Sequence, residues 1–274
     1  MHYREFYGLN MDPFNNVPDL RFYYPGNLYS RIYTRLMRVA QEGRGLAVLT
    51  GKVGTGKTTM ARQLLYLLRG NRTLQTGLLV LMHSEFEPGW LVKRIAGLIG
   101  INEIPNEKTD ALAVVTKKLL KYDQENKHTV ILIDEANKMV NPDQLEEVRG
   151  FLNLEKGDRR LVTFILFGTS ELLDNVKSNQ SLSQRVIMRL TLKLMDFEST
   201  IKYIRHRLSV AGARRDVFAK DSYNLIYRYT KGNPRVTNAL CDNVLFEGAL
   251  ANYQVITPSL VEEVAMMLGF EKEV

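Results

Sequence analysis

Hydrophobic positions along this chain fall into two alternating patterns. Short apolar runs, typical of buried parallel strands, lie at 46–50, 78–82, 129–133 and 161–167. A fifth run, 189–194, alternates apolar and polar residues, as the last strand of a sheet does. The segments between these runs carry apolar residues at helical spacing. The alternation predicts an α/β domain with a mostly parallel five-stranded sheet between helices.

The helical spacing also predicts the parts that flank this sheet. Helices are expected at 29–41, 90–99 and 109–122, and from Pro142 to about residue 154. Beyond residue 198 the strand pattern disappears and four further helices are indicated, the third opening at Asn233-Pro234. We therefore expect an N-terminal arm at 1–28, an α/β nucleotide-binding domain at 29–196 and a small all-α lid domain at 197–274. The prolines in the arm argue against a regular helix there.

A glycine-rich loop follows the first apolar run. Gly51 and the triplet Gly56-Lys57-Thr58 give the spacing G-x-x-x-x-G-K-[ST] between a strand and a helix, where backbone N–H groups surround phosphate oxygens. The chain is therefore predicted to bind ATP and Mg²⁺, with Lys57 on the β- and γ-phosphates and Thr58 on the metal. The predicted nucleotide-binding residues of the loop are Gly51, Val53, Gly54, Thr55, Gly56, Lys57, Thr58 and Thr59.

Two carboxylates end the third apolar run. Asp134 and Glu135 follow four apolar residues, and the carboxyl ends of parallel strands border the crevice where open α/β sheets bind ligands. Asp134 is predicted to orient Mg²⁺, and Glu135 to position and polarise the attacking water. A solvated strand end is the alternative, and the upstream glycine-rich loop favours the metal and catalytic roles.

Four more polar residues are candidates for contact with phosphate. Thr169, after the fourth run, is placed either to sense the γ-phosphate or to cap the next helix. Arg185 and Arg189, beside the last strand, are either surface arginines or a finger that completes a neighbouring subunit's site; we predict the finger, with Arg185 ahead. Arg235 begins a lid helix, where it could fold over the phosphates. The arm at 1–28 is predicted to border the nucleotide base, with simple surface packing as the alternative.

Composition leaves the partner open. The 274 residues carry 37 Lys and Arg against 30 Asp and Glu, which gives a formal net charge of +7 and a pI near 9.3. This balance favours an acidic partner such as DNA or an anionic membrane face, although no basic run dominates. The sequence has no signal-peptide layout, no apolar run that could span a bilayer and a single cysteine, Cys241. We expect a cytoplasmic protein, or one that is peripheral at the inner membrane.

Taken together, the motifs resemble those of the AAA+ ATPases, and more narrowly those of the ExeA/GspA family with its stand-alone form, the MSHA pilus biogenesis ATPase. The resemblance covers nearly the whole chain. The segments that carry it include FYGL near the start, TGKVGTGKTT, ILIDEAN, FLNLE, FGTSEL, SQRV, YIRHRLSVAG and GNPR.

The resemblance implies an AAA+ P-loop ATPase that forms a homo-oligomer, as a ring or a helical filament. It also implies protein partners in envelope assembly, either of a type II secretion pore or of a type IV-like pilus. The chain departs from the family in FGTSEL, where Thr169 replaces the usual glutamine and puts the sensing role in doubt. The secretion member has a transmembrane and peptidoglycan-binding region after the ATPase, and this chain stops after the lid, so it resembles the stand-alone form.

A different interpretation comes from relatives that resemble MuB and its kin. Those ATPases form ATP-dependent filaments on double-stranded DNA and recruit a transposase. The basic charge favours this alternative, whereas no helix-turn-helix or concentrated basic stripe supports it. A third interpretation, a nucleotide-dependent scaffold with little turnover, is disfavoured by Glu135, because binding alone needs no catalytic carboxylate.

Overall fold

The computed structural model describes residues 3–83, Glu87 and 89–270. Its strands are β1 (Leu46–Gly51), β2 (Leu74–Val80), β3 (His128–Asp134), β4 (Glu155–Lys156), β5 (Arg159–Arg160), β6 (Val162–Gly168) and β7 (Val186–Leu192). Five of them form one parallel sheet in the order β2-β3-β6-β1-β7, and β4 pairs with β5 as a short antiparallel ribbon. The predicted five-stranded α/β sheet is confirmed, and all of its pairings are parallel.

The helices follow the predicted alternation with the strands. They are α1 (Tyr3–Tyr7), α2 (Asn27–Gln41), α3 (Lys57–Arg69), α4 (Trp90–Leu98), α5 (Lys108–Gln124), α6 (Pro142–Leu152), α7 (Glu171–Ser178), α8 (Gln180–Ser183), α9 (Phe197–Val210), α10 (Ser222–Thr230), α11 (Pro234–Leu250) and α12 (Pro258–Met267). The predicted start of α6 is confirmed by a capping box, in which the Asn141 side chain accepts a hydrogen bond from the backbone N–H of Asp143 and the Gln144 side chain bonds back.

The described chain divides into two compact units. The helical unit comprises Met1–Tyr29, Gly54–Gly56 and Lys193–Val274, and the sheet unit comprises Ser30–Val53 and Lys57–Leu192. The domain boundaries at 28/29 and 196/197 stay predictions. Within the described ranges, no helix is long and apolar enough to cross a bilayer.

The core of the sheet unit explains why its central strands read as continuous apolar runs. Every residue of β1 and of β6 is buried, because helices cover both faces of a parallel sheet. One face packs against α4, α5 and α6 through residues such as Leu91, Val115 and Phe151. Burial of this apolar area is the main source of stability.

A buried carboxylate joins three of those helices. Glu147 of α6 accepts hydrogen bonds from the backbone N–H groups of Gly89, at 2.5 Å, and Leu91, at 3.2 Å, and its side chain is 2.8 Å from the ammonium of Lys108. The first two groups lie at the start of α4, where backbone donors lack partners within the helix. Glu147 therefore caps α4 from a distant part of the sequence.

At the amino end of the sheet, polar groups satisfy one another. The Nε2 atom of His128 lies 2.8 Å from the hydroxyl of Thr163, and that hydroxyl accepts the backbone N–H of Gly45 at 3.3 Å. Burial lowers the pKa of His128 to about 4, with a smaller contribution from the Arg159 cation, while the Asp123 carboxylate acts in the opposite direction. The histidine is therefore neutral in the folded protein at neutral pH.

In the helical unit, the arm packs on α9 through a buried arginine. Arg207 donates to the carbonyls of Pro13 and of Asn15, the latter at 3.0 Å, and to the hydroxyl of Tyr203 at 2.8 Å. Its guanidinium also lies 4.8 Å from the ring centroid of Phe22. A buried cation needs such partners, so these contacts hold the arm in the helical unit.

The expectation that the arm contains no regular helix is wrong at its beginning. The helix α1 covers Tyr3–Tyr7 and so ends before the first proline, Pro13. No proline ring removes a donor there, and the Tyr3 hydroxyl donates to Asp242 of α11 at 2.6 Å. Tertiary contact thus stabilises a helix that is too short to form alone.

Candidate nucleotide-binding site

In the sheet unit, the side chain of Lys57 folds back over the glycine-rich loop. β1 ends at Gly51 and α3 begins at Lys57, as the motif predicts. The Lys57 ammonium donates to the carbonyl oxygens of Gly51, at 2.9 Å, and of Lys52, at 3.0 Å, and the residue is only 7% exposed. These acceptors hold a buried cation at the base of the loop.

The tip of the loop belongs to the helical unit, and so does Arg235. The backbone N–H of Arg235 donates to the Gly54 carbonyl at 3.3 Å, and the Tyr29 hydroxyl donates to the Thr55 carbonyl at 3.0 Å. Gly54 has a φ of +84°, and a Cβ there would lie 2.3 Å from Oδ1 of Asn233. Glycine is thus required at position 54 both for its backbone conformation and for the close approach of α11.

Two predicted metal ligands meet at the carboxyl end of the sheet. The Thr58 hydroxyl donates to Oδ2 of Asp134 at 2.7 Å, and Oδ1 of Asp134 accepts the backbone N–H of Glu135 at 3.0 Å. Asp134 is 1% exposed, so its carboxylate lies in a low-dielectric environment where a cation is held strongly.

These oxygen atoms fit Mg²⁺ that arrives with a nucleotide. Mg²⁺ prefers oxygen ligands and usually combines one or two protein groups with phosphate and water. Thr58 and Asp134 supply a hydroxyl and a carboxylate side by side. Among the residues that the structure describes, no cluster of three or more histidine, cysteine or acidic side chains could hold a metal without such outside ligands.

Glu135 occupies an unusual backbone conformation at the end of β3. Its φ of 56° lies in the left-handed region, and it precedes a short 3-10 turn at Ala136–Lys138. A non-glycine residue there costs on the order of 1 kcal/mol, and such strain is common at functional sites. The conformation turns the chain sharply after Asp134 and leaves Glu135 half-buried, where a carboxylate can contact both solvent and a bound ligand.

Thr169 is held beside the same end of the sheet by a residue that the sequence analysis missed. Oδ1 of Asn137 accepts the backbone N–H of Thr169 at 3.2 Å, and the Thr169 hydroxyl donates to Glu171 at 3.1 Å. The hydroxyl therefore faces the first turn of α7 in this structure, and its role as a sensor stays a prediction. The signal for Asn137 was the polar residue that closes ILIDEAN.

Asn137 is itself fixed from a third direction. The side chain of Asn175 in α7 donates to the carbonyls of Asn137, at 3.1 Å, and Met139, at 3.2 Å. The turn after β3, the end of β6 and α7 are thus joined by two asparagines. This network fixes the backbone of Thr169 to the turn that follows Glu135.

Arg185 and Arg189 lie apart from these groups. The start of β7 pairs with the start of β1, which places Arg185 at the amino end of the sheet. Arg185 donates to the Ser181 carbonyl at 2.8 Å and to Asn153 at 3.0 Å, and Arg189 donates to the Ser183 carbonyl at 2.6 Å. The structure therefore does not bring either arginine to Lys57 and Asp134, which are at the opposite end.

Comparisons with known proteins extend this description. The family model described as AAA domain matches residues 40–176. The chain is 29% identical over 249 residues to General secretion pathway protein A of Aeromonas hydrophila. That match covers 89% of this chain and 44% of the relative, so the chain spans less than half of the relative's length.

Two solved structures have a fold similar to that of this chain. Cdc6p of Pyrobaculum aerophilum superposes with a TM-score of 0.71 at 16% identity, covering 93% of this chain and 70% of that chain. The ORC2 protein of Aeropyrum pernix, in its ADPNP-ADP complexes, gives a TM-score of 0.68 at 17% identity, with 94% and 71% covered. At these identities the likeness supports the fold alone.

Proposed function

Because this chain belongs to the AAA domain family, whose general activity is nucleotide hydrolysis, we propose that it is an ATPase that works as a homo-oligomer. The resemblance to the AAA+ ATPases of the ExeA/GspA family is confirmed by the family match and by the secretion pathway relative. The observation that carries the proposal is the contact between Thr58 and Asp134 in the same unit as Lys57.

Each charged group then has a defined task in phosphoryl transfer. The Lys57 ammonium would bind the β- and γ-phosphate oxygens. Thr58 and Asp134 would hold Mg²⁺, which would offset the negative charge of the phosphates. Glu135 orients a water molecule for in-line attack and polarises it. The new bond joins the water oxygen to the γ-phosphorus, the bond from that phosphorus to the β,γ-bridging oxygen breaks, and ADP leaves with the electron pair. The proton that the water loses passes to the Glu135 carboxylate and from there to solvent.

The same site can act as an assembly switch. Arg185, or Arg189 in its place, would reach the γ-phosphate of a neighbouring subunit, so that turnover requires the ring or filament. Arg235 would report the nucleotide state to the lid, since its backbone already bonds the loop tip within the helical unit. ATP would then favour the oligomer, and hydrolysis would release it.

The similarity to General secretion pathway protein A supports a proposal about the assembly in which this switch acts. General secretion pathway protein A is named for secretion, and we place this chain in assembly of a type II secretion pore or a type IV-like pilus, with envelope-assembly proteins as partners. A peripheral position at the inner membrane suits such a role.

The test compares Glu135→Gln with the parent protein. We expect ATP affinity within about twofold of the parent, turnover lower by about a hundredfold or more, and a larger oligomer by light scattering in ATP. The matched control is Glu125→Gln, which changes an exposed carboxylate at the end of α5. Equal turnover in Glu135→Gln and the parent would remove the catalytic assignment.

A second candidate function is ATP-dependent binding to double-stranded DNA with recruitment of a transposase. The net charge of +7 favours it. Binding to duplex DNA should be measured with and without a slowly hydrolysed ATP analogue across a salt series. Tight ATP-dependent binding that weakens steeply with salt would favour this candidate, whereas weak nucleotide-independent attraction would leave the envelope role ahead.

A further inference from the structure

A groove lined by arginines opens on the helical unit, within a single compact unit of the chain. This open groove has a volume of about 410 Å³ between the end of α9 and the segment that follows, and its polar lining is Arg205, Ser209, Arg214, Arg215 and Asp216. Three cations thus face one carboxylate. The groove is electropositive at any pH near neutrality, because arginine stays protonated.

The groove's cations are not neutralised by their neighbours. Arg205 and Asp216 are 3.7 Å apart, and both side chains are more than half exposed, so this ion pair is weak. Arg205 also lies 5.4 Å from the ring centroid of Tyr223, and Arg215 donates to the side-chain carbonyl of Gln254. Arg214 is exposed and has no polar partner among the described residues. The aromatic and amide contacts orient two guanidinium groups without cancelling their charge.

An uncharged, exposed loop adjoins the groove through Gln254. Residues 250–255, which run from the last residue of α11 into the connection to α12, read Leu-Ala-Asn-Tyr-Gln-Val and are all exposed. Leu250 is 61% exposed, Tyr253 46% and Val255 44%. Since Gln254 accepts the hydrogen bond from Arg215, this loop borders the arginines directly. Three exposed apolar side chains therefore lie on a segment that borders the arginines.

We propose that the groove and residues 250–255 together form a docking surface for an anionic lipid bilayer. The arginines would bind phosphate head groups, while Leu250 and Tyr253 would enter the interfacial layer, where an aromatic ring with a polar tip is favoured. Cations beside an uncharged apolar loop match the charge and the polarity of such a surface. A nucleic acid would use the arginines but would gain little from aliphatic side chains. The inference rests on the peripheral membrane position in the proposed function and deepens it, because it assigns the surface that makes the contact; that contact does not depend on turnover.

Vesicle sedimentation of the full chain tests the surface. The vesicles contain phosphatidylglycerol and phosphatidylcholine in equal parts, or phosphatidylcholine alone. We expect binding to the anionic vesicles, a partition coefficient lowered by roughly thirtyfold in Arg214→Ser/Arg215→Ser, and one lowered by roughly tenfold in Leu250→Ser/Tyr253→Ser. The matched control, Lys202→Ser/Arg228→Ser, removes the same charge from exposed positions of α9 and α10 and should stay within about threefold of the parent.

Three results would overturn the inference. An equal loss in the control and in the groove variant would mean that only net charge matters. Unchanged vesicle binding in the loop variant would exclude insertion of residues 250–255. Duplex DNA binding that depends on Arg214 and Arg215, with no binding to either vesicle, would assign the groove to nucleic acid. ATP turnover measured in the same variants is expected to stay at the parent level, so failure of this inference is distinguishable from failure of the proposed ATPase.

Discussion

The two ends of the parallel sheet differ in the charge of their buried polar groups. At the amino end, His128, Thr163 and Gly45 are neutral and bond to one another. At the carboxyl end, Lys57 and Asp134 are charged and bond to backbone carbonyls, a hydroxyl and an N–H group. A charged side chain forms stronger hydrogen bonds than a neutral one does. The Lys57 ammonium and the Asp134 carboxylate would each bind a ligand group of opposite charge more strongly than they bind these neutral partners. The comparison indicates that one end stabilises the unit and the other is arranged for a ligand.

Lys57→Ala, at the carboxyl end of the sheet, is expected to have the largest effect on ATP binding. Loss of the ammonium should lower ATP affinity by at least about a hundredfold, because the phosphates lose their buried cation. The thermal unfolding midpoint should change little, since the bonds of Lys57 hold the loop and not the core. Calorimetric titration with ATP and a thermal melt measure the two quantities. The matched control is Lys52→Ala, which removes an exposed ammonium and keeps the carbonyl that accepts from Lys57. Loss of ATP binding in both variants would contradict the assignment of phosphate binding to Lys57.

Arg185, at the amino end of the sheet, is predicted to contribute to hydrolysis at the nucleotide site of a neighbouring subunit. Arg185→Ala should leave ATP affinity within about threefold of the parent and lower oligomer-dependent turnover by about a hundredfold or more. Turnover per subunit is measured over a range of protein concentrations, and Arg189→Ala serves as the parallel variant. Unchanged turnover per subunit at high concentration in Arg185→Ala, with a loss in Arg189→Ala, would transfer the role to Arg189.

A smaller effect is expected from Thr58→Ala, which removes one of the two proposed oxygen ligands at the carboxyl end. Mg²⁺ should then stimulate ATP binding by roughly tenfold less than in the parent, because Asp134 alone of the proposed pair remains. Titration of ATP at a series of Mg²⁺ concentrations measures the difference. Equal Mg²⁺ dependence in Thr58→Ala and the parent would show that the hydroxyl only supports the loop. Thr73→Ala, which changes an exposed threonine outside the predicted nucleotide-binding residues, is the control.

The smallest effect on activity, and a measurable one on stability, is expected from His128→Gln at the amino end. The pKa of His128 falls from an ordinary 6.5 to about 4 on folding, so between these values the unfolded chain binds more protons and stability decreases as the pH is lowered. Glutamine cannot take up this proton. When the pH is lowered from 6.5 to 4, His128→Gln should therefore lose roughly 2 kcal/mol less of its unfolding free energy than the parent protein does. Urea unfolding at a series of pH values measures the difference. Parallel curves for His128→Gln and the parent would contradict it, and His83→Gln, an exposed histidine, is the control.

Much of the fold could be predicted because local patterns and tertiary structure agree. The apolar runs of β1, β3 and β6 are buried on both faces, so they are visible without knowledge of their neighbours. The strand β2 was harder. It begins at Leu74, four residues before the predicted run, because pairing with β3 extends it through the polar residues Gln75 and Thr76. Strand pairing, which the sequence does not display, decides such boundaries.

In the candidate site, too, some residues could be predicted from local sequence and others could not. Motif spacing predicted a shared site for Asp134 and Thr58, because phosphate chemistry restricts their positions along the chain. The structure brings the two side chains into contact, and their roles as metal ligands stay predictions. Asn137 and Asn175 were missed, since their role is to bond backbone groups of a turn that exists only in the folded protein. Glu147 was missed for the same reason: its partners at the start of α4 are more than fifty residues away in sequence. The ribbon of β4 and β5 is too short to give a periodic signal.

The helical unit combines the first and the last segments of the chain, which affects how it can fold during translation. Its first segment, Met1–Tyr29, leaves the ribosome before any residue of Lys193–Val274 has been made. Arg207 and Asp242, which bond the arm, are therefore absent while the sheet unit is already complete enough to fold. During this interval the aromatic side chains of the arm, Phe6, Phe14 and Phe22 among them, lack their final partners. Nascent chains of this protein should accordingly need protection from aggregation until the last helices emerge.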